Sequence, residues 1–194
     1  MAGLRIGILG GSFNPAHEGH AHISRQAAMA LGLDMVWWLV SPANPQKDPR
    51  DYLPLAKRMS EARRMARGSP VAVTDLETDL TTQFTAETLR LLKARMPRAD
   101  FIWLMGADNL ISIHTWQKWS RIFHLCPIAV VGRPTYSLVA LNSKASIRFK
   151  SSRRNTRRLR AQRRRLKAPR WTFISCRLHQ ASSTTIRHAQ GFDR

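Results

Sequence analysis

At 194 residues, with 43% apolar side chains, the chain is long enough to bury one sizeable core and too apolar for wholesale disorder. Its formal charge of +20 is concentrated: residues 144–170 hold 13 of the 32 Lys and Arg and no Asp or Glu, leaving 19 basic against 12 acidic residues elsewhere. No run reaches the roughly 18 to 20 apolar residues of a membrane span, glycines 7, 10 and 11 interrupt any signal-peptide core, and two cysteines without metal-ligand companions exclude a disulfide framework and argue against a zinc site. The expectation is a single soluble, cytoplasmic domain over residues 1–194, with Cys126 and Cys176 as buried free thiols.

The apolar stretch 4–9 reads as a buried strand, and the Gly-Gly-Ser turn after it leads into an alanine-rich helical pattern over 20–31. A second apolar run, 35–40, precedes the Pro-, Asn- and Lys-rich loop SPANPQKDPR, long enough to be functional. Helical periodicity over 55–67 ends at Gly68, ahead of the β-branched run 71–73. The pattern continues with a helix over 85–95, a strand over 101–105 ending at Gly106-Ala107-Asp108, and strands over 128–131 and 171–175. Strands alternating with helices imply an α/β fold, a Rossmann-like and mainly parallel sheet with helices on both faces. The arginine-rich segment, about 142–168, is expected to be largely helical with poor apolar periodicity, and partly disordered.

The densest motif is GGSFNPAHEGH, residues 10–20. In open parallel sheets ligands collect beyond the carboxyl ends of the strands. Gly10, Gly11 and Ser12 stand at such an end, where glycines let main-chain N–H groups approach an anion and the following helix N-terminus favours phosphate. No GK[ST] or GxGxxG is present, so the Walker and dinucleotide fingerprints fail. His17 and His20 are three apart and share the first helical turn. Two imidazoles facing a phosphate can donate hydrogen bonds to oxygens that gain charge in a transition state. A metal site needs more ligands than HxxH with Glu18 and Asp34 nearby supplies.

GGSFNPAHEGH resembles the GG[ST]F[DN]PxHxGH signature of the nucleotidylyltransferase superfamily, and the chain resembles the bacterial nicotinate-nucleotide adenylyltransferases in particular. Five further segments are similar to family motifs in the same order: Asn44-Pro45-Gln46-Lys47 to NPxK, Thr82-Gln83-Phe84-Thr85-Ala86-Glu87-Thr88-Leu89 to the T-x-Y-T-x-x-T-L segment, and Gly106-Ala107-Asp108 with Trp116 to GxD...W. Arg133-Pro134-Thr135-Tyr136 is similar to RPGY and Ser182-Ser183-Thr184-Thr185-Ile186-Arg187 to [IA]SSTxIR. Asn14, Phe84, Thr135 and Ala181 depart from the commoner Asp, Tyr, Gly and Ile.

The resemblance implies a nucleotidylyltransferase-type fold and adenylyl transfer from ATP to nicotinate mononucleotide, with Mg2+ bound mainly through the ATP phosphates and no metal site of the protein's own. It implies that His17 and His20, with Arg187, act on the phosphates. Gly10, Gly11, Ser12, Phe13, Gly106, Asp108, Ser182, Ser183 and Thr184 would bind ATP. Thr85 would meet the nicotinate carboxylate, Trp116 would stack on the ring, and Lys47 and Arg133 would contact substrate phosphate or base. Trp119 is expected to be core. Partners are then the two small-molecule substrates, with no membrane and room for a homo-oligomer. Two alternatives stand beside this reading: another adenylyl- or cytidylyltransferase of the superfamily, such as one acting on phosphopantetheine, and a nucleic-acid-binding protein working through residues 144–170. The second is disfavoured because stacking aromatics near that segment are limited to Phe149 and Trp171.

Overall fold

The computed structural model describes residues 3–42, 53–132, 136–162 and 166–175. Six strands form one sheet: β1 (Arg5–Gly11), β2 (Met35–Val40), β3 (Val71–Thr74), β4 (Asp100–Gly106), β5 (Ile128–Val131) and β6 (Trp171–Ile174). Their order is β3-β2-β1-β4-β5-β6, and every neighbouring pair is parallel. The order reverses between β1 and β4, which makes the carboxyl ends of these two strands the place where a doubly wound sheet opens a crevice.

Apart from the half-exposed edge strand β3, the strands are largely buried on both faces, and period-two alternation sorts their side chains into two cores. Ile6, Ile8, Leu39, Phe101, Trp103, Met105, Ile128 and Val130 face one side, against α4 (Thr85–Arg95), α5 (Ala107–Ser112) and α6 (Trp119–Leu125). Leu9, Val36, Trp38, Val40, Ile102, Leu104, Ala129 and Val131 face the other, against α1 (Glu18–Leu31) and α2 (Leu55–Ala66). α1 stops where Gly32 takes a left-handed conformation, φ 62°, and its N–H bonds the Ala28 carbonyl. A short α3 (Leu76–Asp79) links β3 to α4.

The basic segment departs from the helix expected over about 142–168. It is broken into α8 (Lys144–Arg148), a 3-10 turn (Lys150–Ser152) and α9 (Thr156–Ala161), after a short α7 (Ser137–Leu141). Two side-chain caps explain the breaks: Ser143 accepts from the Ser146 N–H, and Asn155 accepts from the Arg157 N–H, each starting a new helix. Between them Phe149 turns inward to stack on Phe123 at 4.0 Å, and Arg153 pairs with the edge strand at Trp171. The described part is fixed to the body of the protein. Leu159 and Leu166 are buried, Arg160 donates to the Met29 carbonyl, and Arg5 donates to the Gln162 carbonyl at 2.7 Å. Arg5 also pairs with Asp100 at 3.3 Å, and Asp100 accepts from the Leu166 N–H. Arg5 and Asp100 begin β1 and β4, so this join lies at the amino ends of the strands.

Candidate active site

Gly10 and Gly11 close β1, opposite Leu39 and Val40 of β2. Gly10 has a packing reason of its own, since a Cβ there would lie 2.3 Å from the ring of Trp103. At Gly11 the nearest atom is an ordinary 3.6 Å away, on Phe13. Phe13 follows in a left-handed conformation, φ 47°, which is strained for an aromatic residue. The conformation turns its ring inward, fully buried, to stack on Trp38 at 5.1 Å.

The helix expected from about residue 20 begins at Glu18, with His17 as its N-cap. Nδ1 of His17 accepts from the Gly19 N–H at 3.0 Å, and Nδ1 of His20 accepts from the His17 N–H at 3.2 Å. The two form a capping box built from imidazoles, where Ser or Thr with Glu or Gln is usual. A neutral imidazole whose Nδ1 accepts carries its proton on Nε2. Both histidines are therefore set as Nε2–H donors, and their rings lie 4.0 Å apart. His20 rests on Phe13 at 4.5 Å, with Trp38 behind at 5.9 Å. Trp38 donates to Ser24 Oγ, which donates to the His20 carbonyl.

Gly106 ends β4 beside β1 and starts α5, with Asp108 half-buried in its first turn. β4 pairs with β1, so the GGS loop and Gly106-Ala107-Asp108 share one crevice. Thr85 opens α4, and the N-cap Phe84 supplies no side-chain cap, which leaves that helix start suited to an anionic group. Trp116 is partly buried where the 3-10 turn after α5 ends. Trp119, expected to be core, is partly buried and packs edge-on against Phe123 and Phe149 at the margin of the first core. Lys47, Arg133, Ser182, Ser183, Thr184 and Arg187 lie outside the described residues, as does Cys176. Cys126 is buried, and burial pushes its thiol up to about 12.

Two charged residues absent from the motifs sit behind the loops. Arg58 of α2 is 1% exposed, and its guanidinium donates to the carbonyls of Ser12, Ser41, Pro42 and Leu53. Glu77 of α3 is 4% exposed and accepts from Ser41 Oγ at 2.7 Å and Thr88 Oγ1 at 3.0 Å. Desolvation raises its carboxyl above the ordinary value, against the lowering effect of the Ser41 and Thr88 hydroxyls. A signal for Arg58 did exist in the sequence: it shares its helix face with Ala62 and Ala66, so a cation stands on an apolar stripe. Nothing comparable marks Glu77, or Ser24 and Trp38 behind His20.

The comparisons with known proteins agree with this geometry. The cytidylyltransferase-like family model matches residues 8–189. A probable nicotinate-nucleotide adenylyltransferase of Cereibacter sphaeroides is 48% identical over 182 residues, 94% of this chain and 95% of that protein. One from Caulobacter sp. (strain K31) is 46% identical over 189 residues, 96% of this chain and 98% of that protein. In fold the chain is similar to Plasmodium falciparum nicotinic acid mononucleotide adenylyltransferase complexed with NaAD, with a TM-score of 0.72 at 16% identity, covering 95% of this chain and 83% of that one. With a doubly wound parallel sheet, paired histidines at its switch point and relatives alike over nearly their whole length, the chain belongs to the cytidylyltransferase-like family, among the nicotinate-nucleotide adenylyltransferases.

Proposed function

We propose that this chain transfers the adenylyl group of ATP to nicotinate mononucleotide, giving nicotinate adenine dinucleotide and pyrophosphate, a step of NAD biosynthesis. The observation that carries the reading is the imidazole capping box at the end of the central strand: Nδ1 of each histidine is occupied by main chain, so each presents an Nε2–H donor. A donor pair beside a glycine turn and a helix N-terminus suits phosphoryl oxygens that gain charge as the reaction proceeds.

No protein nucleophile is needed. The phosphate oxygen of nicotinate mononucleotide attacks the α-phosphorus of ATP, a new P–O bond forms, and the bond to the β-phosphate breaks, with its electron pair leaving on pyrophosphate. The protein aligns two anions that repel each other and stabilises the transferring group. His17 and His20 hold the phosphates, with His20 serving the transition state, while the N–H groups of Gly11 and Ser12 cradle them. Gly106 and Asp108 meet the adenosine, Asp108 through the ribose hydroxyls. Thr85 and the start of α4 receive the nicotinate carboxylate, and Trp116 stacks on the ring. Lys47 and Arg133 contact the mononucleotide. Ser182, Ser183, Thr184 and Arg187 hold the departing pyrophosphate.

Mg2+ fits this donor set as a passenger of ATP. Among the described residues no three His, Cys, Asp or Glu side chains converge, and an ion carried on substrate phosphates requires no such cage. When bound, it neutralises phosphate charge. Among the described residues no helix is long and apolar enough to cross a membrane.

The test supplies ATP and Mg2+ with nicotinate mononucleotide, its amide counterpart or phosphopantetheine, and follows pyrophosphate release. Turnover with the acid is expected. Turnover with phosphopantetheine and none with the acid overturns the assignment.

A further inference from the structure

The loops after β1 and β2 carry different halves of the proposed reaction, and both rest on the same buried polar groups. Ser41, just past β2, makes three hydrogen bonds in three directions. Its N–H donates to the Gly11 carbonyl at 2.9 Å, its carbonyl accepts from Arg58 at 2.8 Å, and its hydroxyl donates to Glu77 at 2.7 Å. From Arg58 the same guanidinium nitrogen, Nη1, reaches the Ser12 carbonyl at 2.7 Å, inside the nucleotide loop. From Glu77 the other carboxylate oxygen reaches Thr88, whose hydroxyl also lies 3.2 Å from the Phe84 carbonyl and 2.9 Å from the hydroxyl of Thr82. Phe84 directly precedes Thr85 at the start of α4. Asn14, within the opening motif, adds a further tie by accepting from the Leu53 N–H at 3.1 Å.

A bare packing role accounts poorly for this arrangement. Burying a guanidinium and a carboxylate costs several kcal/mol apiece unless each is well bonded, and apolar residues of similar volume usually serve stability as well or better. The guanidinium offers planar donors in a fixed fork, which orient several carbonyls at once as no apolar side chain can.

We infer that Arg58 and Glu77, meeting at Ser41, form a buried strut that holds the nucleotide loop after β1 in register with the acceptor side of the site at α4. Both are positioning residues. The inference takes the acceptor side from the proposed function; the strut itself stands on the contacts. A misplacement of about 1 Å between reacting groups costs on the order of 100-fold in rate, so loosening the strut is read in kcat before it is read in stability.

The experiment compares the full chain with Arg58→Lys, Glu77→Gln and Ser41→Ala, using whichever acceptor the unmodified protein turns over, so that a wrong acceptor does not count against the strut. Ser41→Ala is the variant least able to disturb folding, because it removes one hydroxyl and leaves its main-chain bonds. For each variant kcat, both KM values and the melting temperature are measured. The strut predicts kcat losses of about 10- to 100-fold in variants that melt within a few degrees of the parent. It also predicts that Arg58→Lys combined with Ser41→Ala is no worse than the poorer single variant, since each breaks a different link of one series and either break frees the two loops. Unchanged kcat in folded Ser41→Ala and Arg58→Lys, or losses that multiply in the double variant, overturn the proposal. Should Arg58→Lys fail to fold, Glu77→Gln takes its place in the double variant with the same two outcomes.

Discussion

The ring of His20 accepts a hydrogen bond from the main-chain N–H of His17, so one histidine orients the other at the first turn of α1. Removing the His20 ring therefore deletes the proposed phosphate donor and a helix cap together. His20→Ala is expected to lower kcat by about 10²- to 10³-fold, with a smaller change in the KM for ATP, because the contact strengthens as charge develops. A pure KM effect means that the histidine only binds substrate. The lost cap alone costs about 1 kcal/mol, which a thermal melt separates from the kinetic effect.

The two glycines closing β1 are expected to fail differently. In Gly10→Ala the new methyl group meets Trp103, and stability drops by about 1 to 3 kcal/mol. Gly11→Ala has room for its methyl group and should fold normally, with weaker ATP binding if that face meets the phosphates. Equal melting temperatures for the two variants contradict this division.

Two tryptophans three residues apart should likewise separate. Trp116→Ala is expected to raise the KM for nicotinate mononucleotide about 10- to 100-fold, the worth of a stacked ring. Trp119→Ala loses edge contacts with Phe123 and Phe149 and is expected to lower stability by up to about 3 kcal/mol while leaving KM in place. A reversed pattern exchanges their roles.

Glu77 makes stability depend on pH. Burial raises its carboxyl pKa above the unfolded value, so between those two values the folded state holds the proton more often than the unfolded state. The contribution is fully present below the unfolded pKa and is lost as pH rises through the folded one. Glu77→Gln, which cannot ionise, is expected to flatten denaturation free energy against pH across that window. A profile that keeps the parent slope assigns the dependence to another group.

The end of the basic segment, through Gln162 and Leu166, joins the rest of the protein at the amino ends of the strands, whereas the histidines stand at the carboxyl end of β1. Neutralising the exposed Lys150, Arg157 and Arg158 to Gln should therefore leave kcat/KM for adenylyl transfer within about 2-fold, as expected for solvated surface charges screened by salt over a Debye length of ~10 Å. A large loss of turnover assigns these charges to catalysis.

Elements with strong local signals were legible in the sequence. The strands at 35–40 and 128–131 and the helix at 85–95 match the observed bounds, because apolar periodicity and flanking breakers agree there. The segment at about 142–168 is broken into short helices rather than one because its fold is set by long-range packing: Phe149 on Phe123, Leu159 and Leu166 in the second core, and Gln162 on Arg5. Charge hides such contacts from a periodicity argument. In the site, glycines and histidines announced themselves by type and spacing. Arg58 showed only as a cation on an apolar helix stripe and Glu77 not at all, because their partners are main-chain carbonyls and hydroxyls brought close only by the folded sheet.

The central position of β1 has a consequence for assembly. Ile8 lies opposite Trp37 on one side and Trp103 on the other, so the crevice has both walls only after β4 has been made and docked. A nascent chain that ends before β4 carries both histidines and half a cradle. Ligand that binds only the finished sheet stabilises it by mass action. Nucleotide should therefore raise the melting temperature of the entire α/β sheet, including strands it never touches, and give no protection to a fragment that stops at α4.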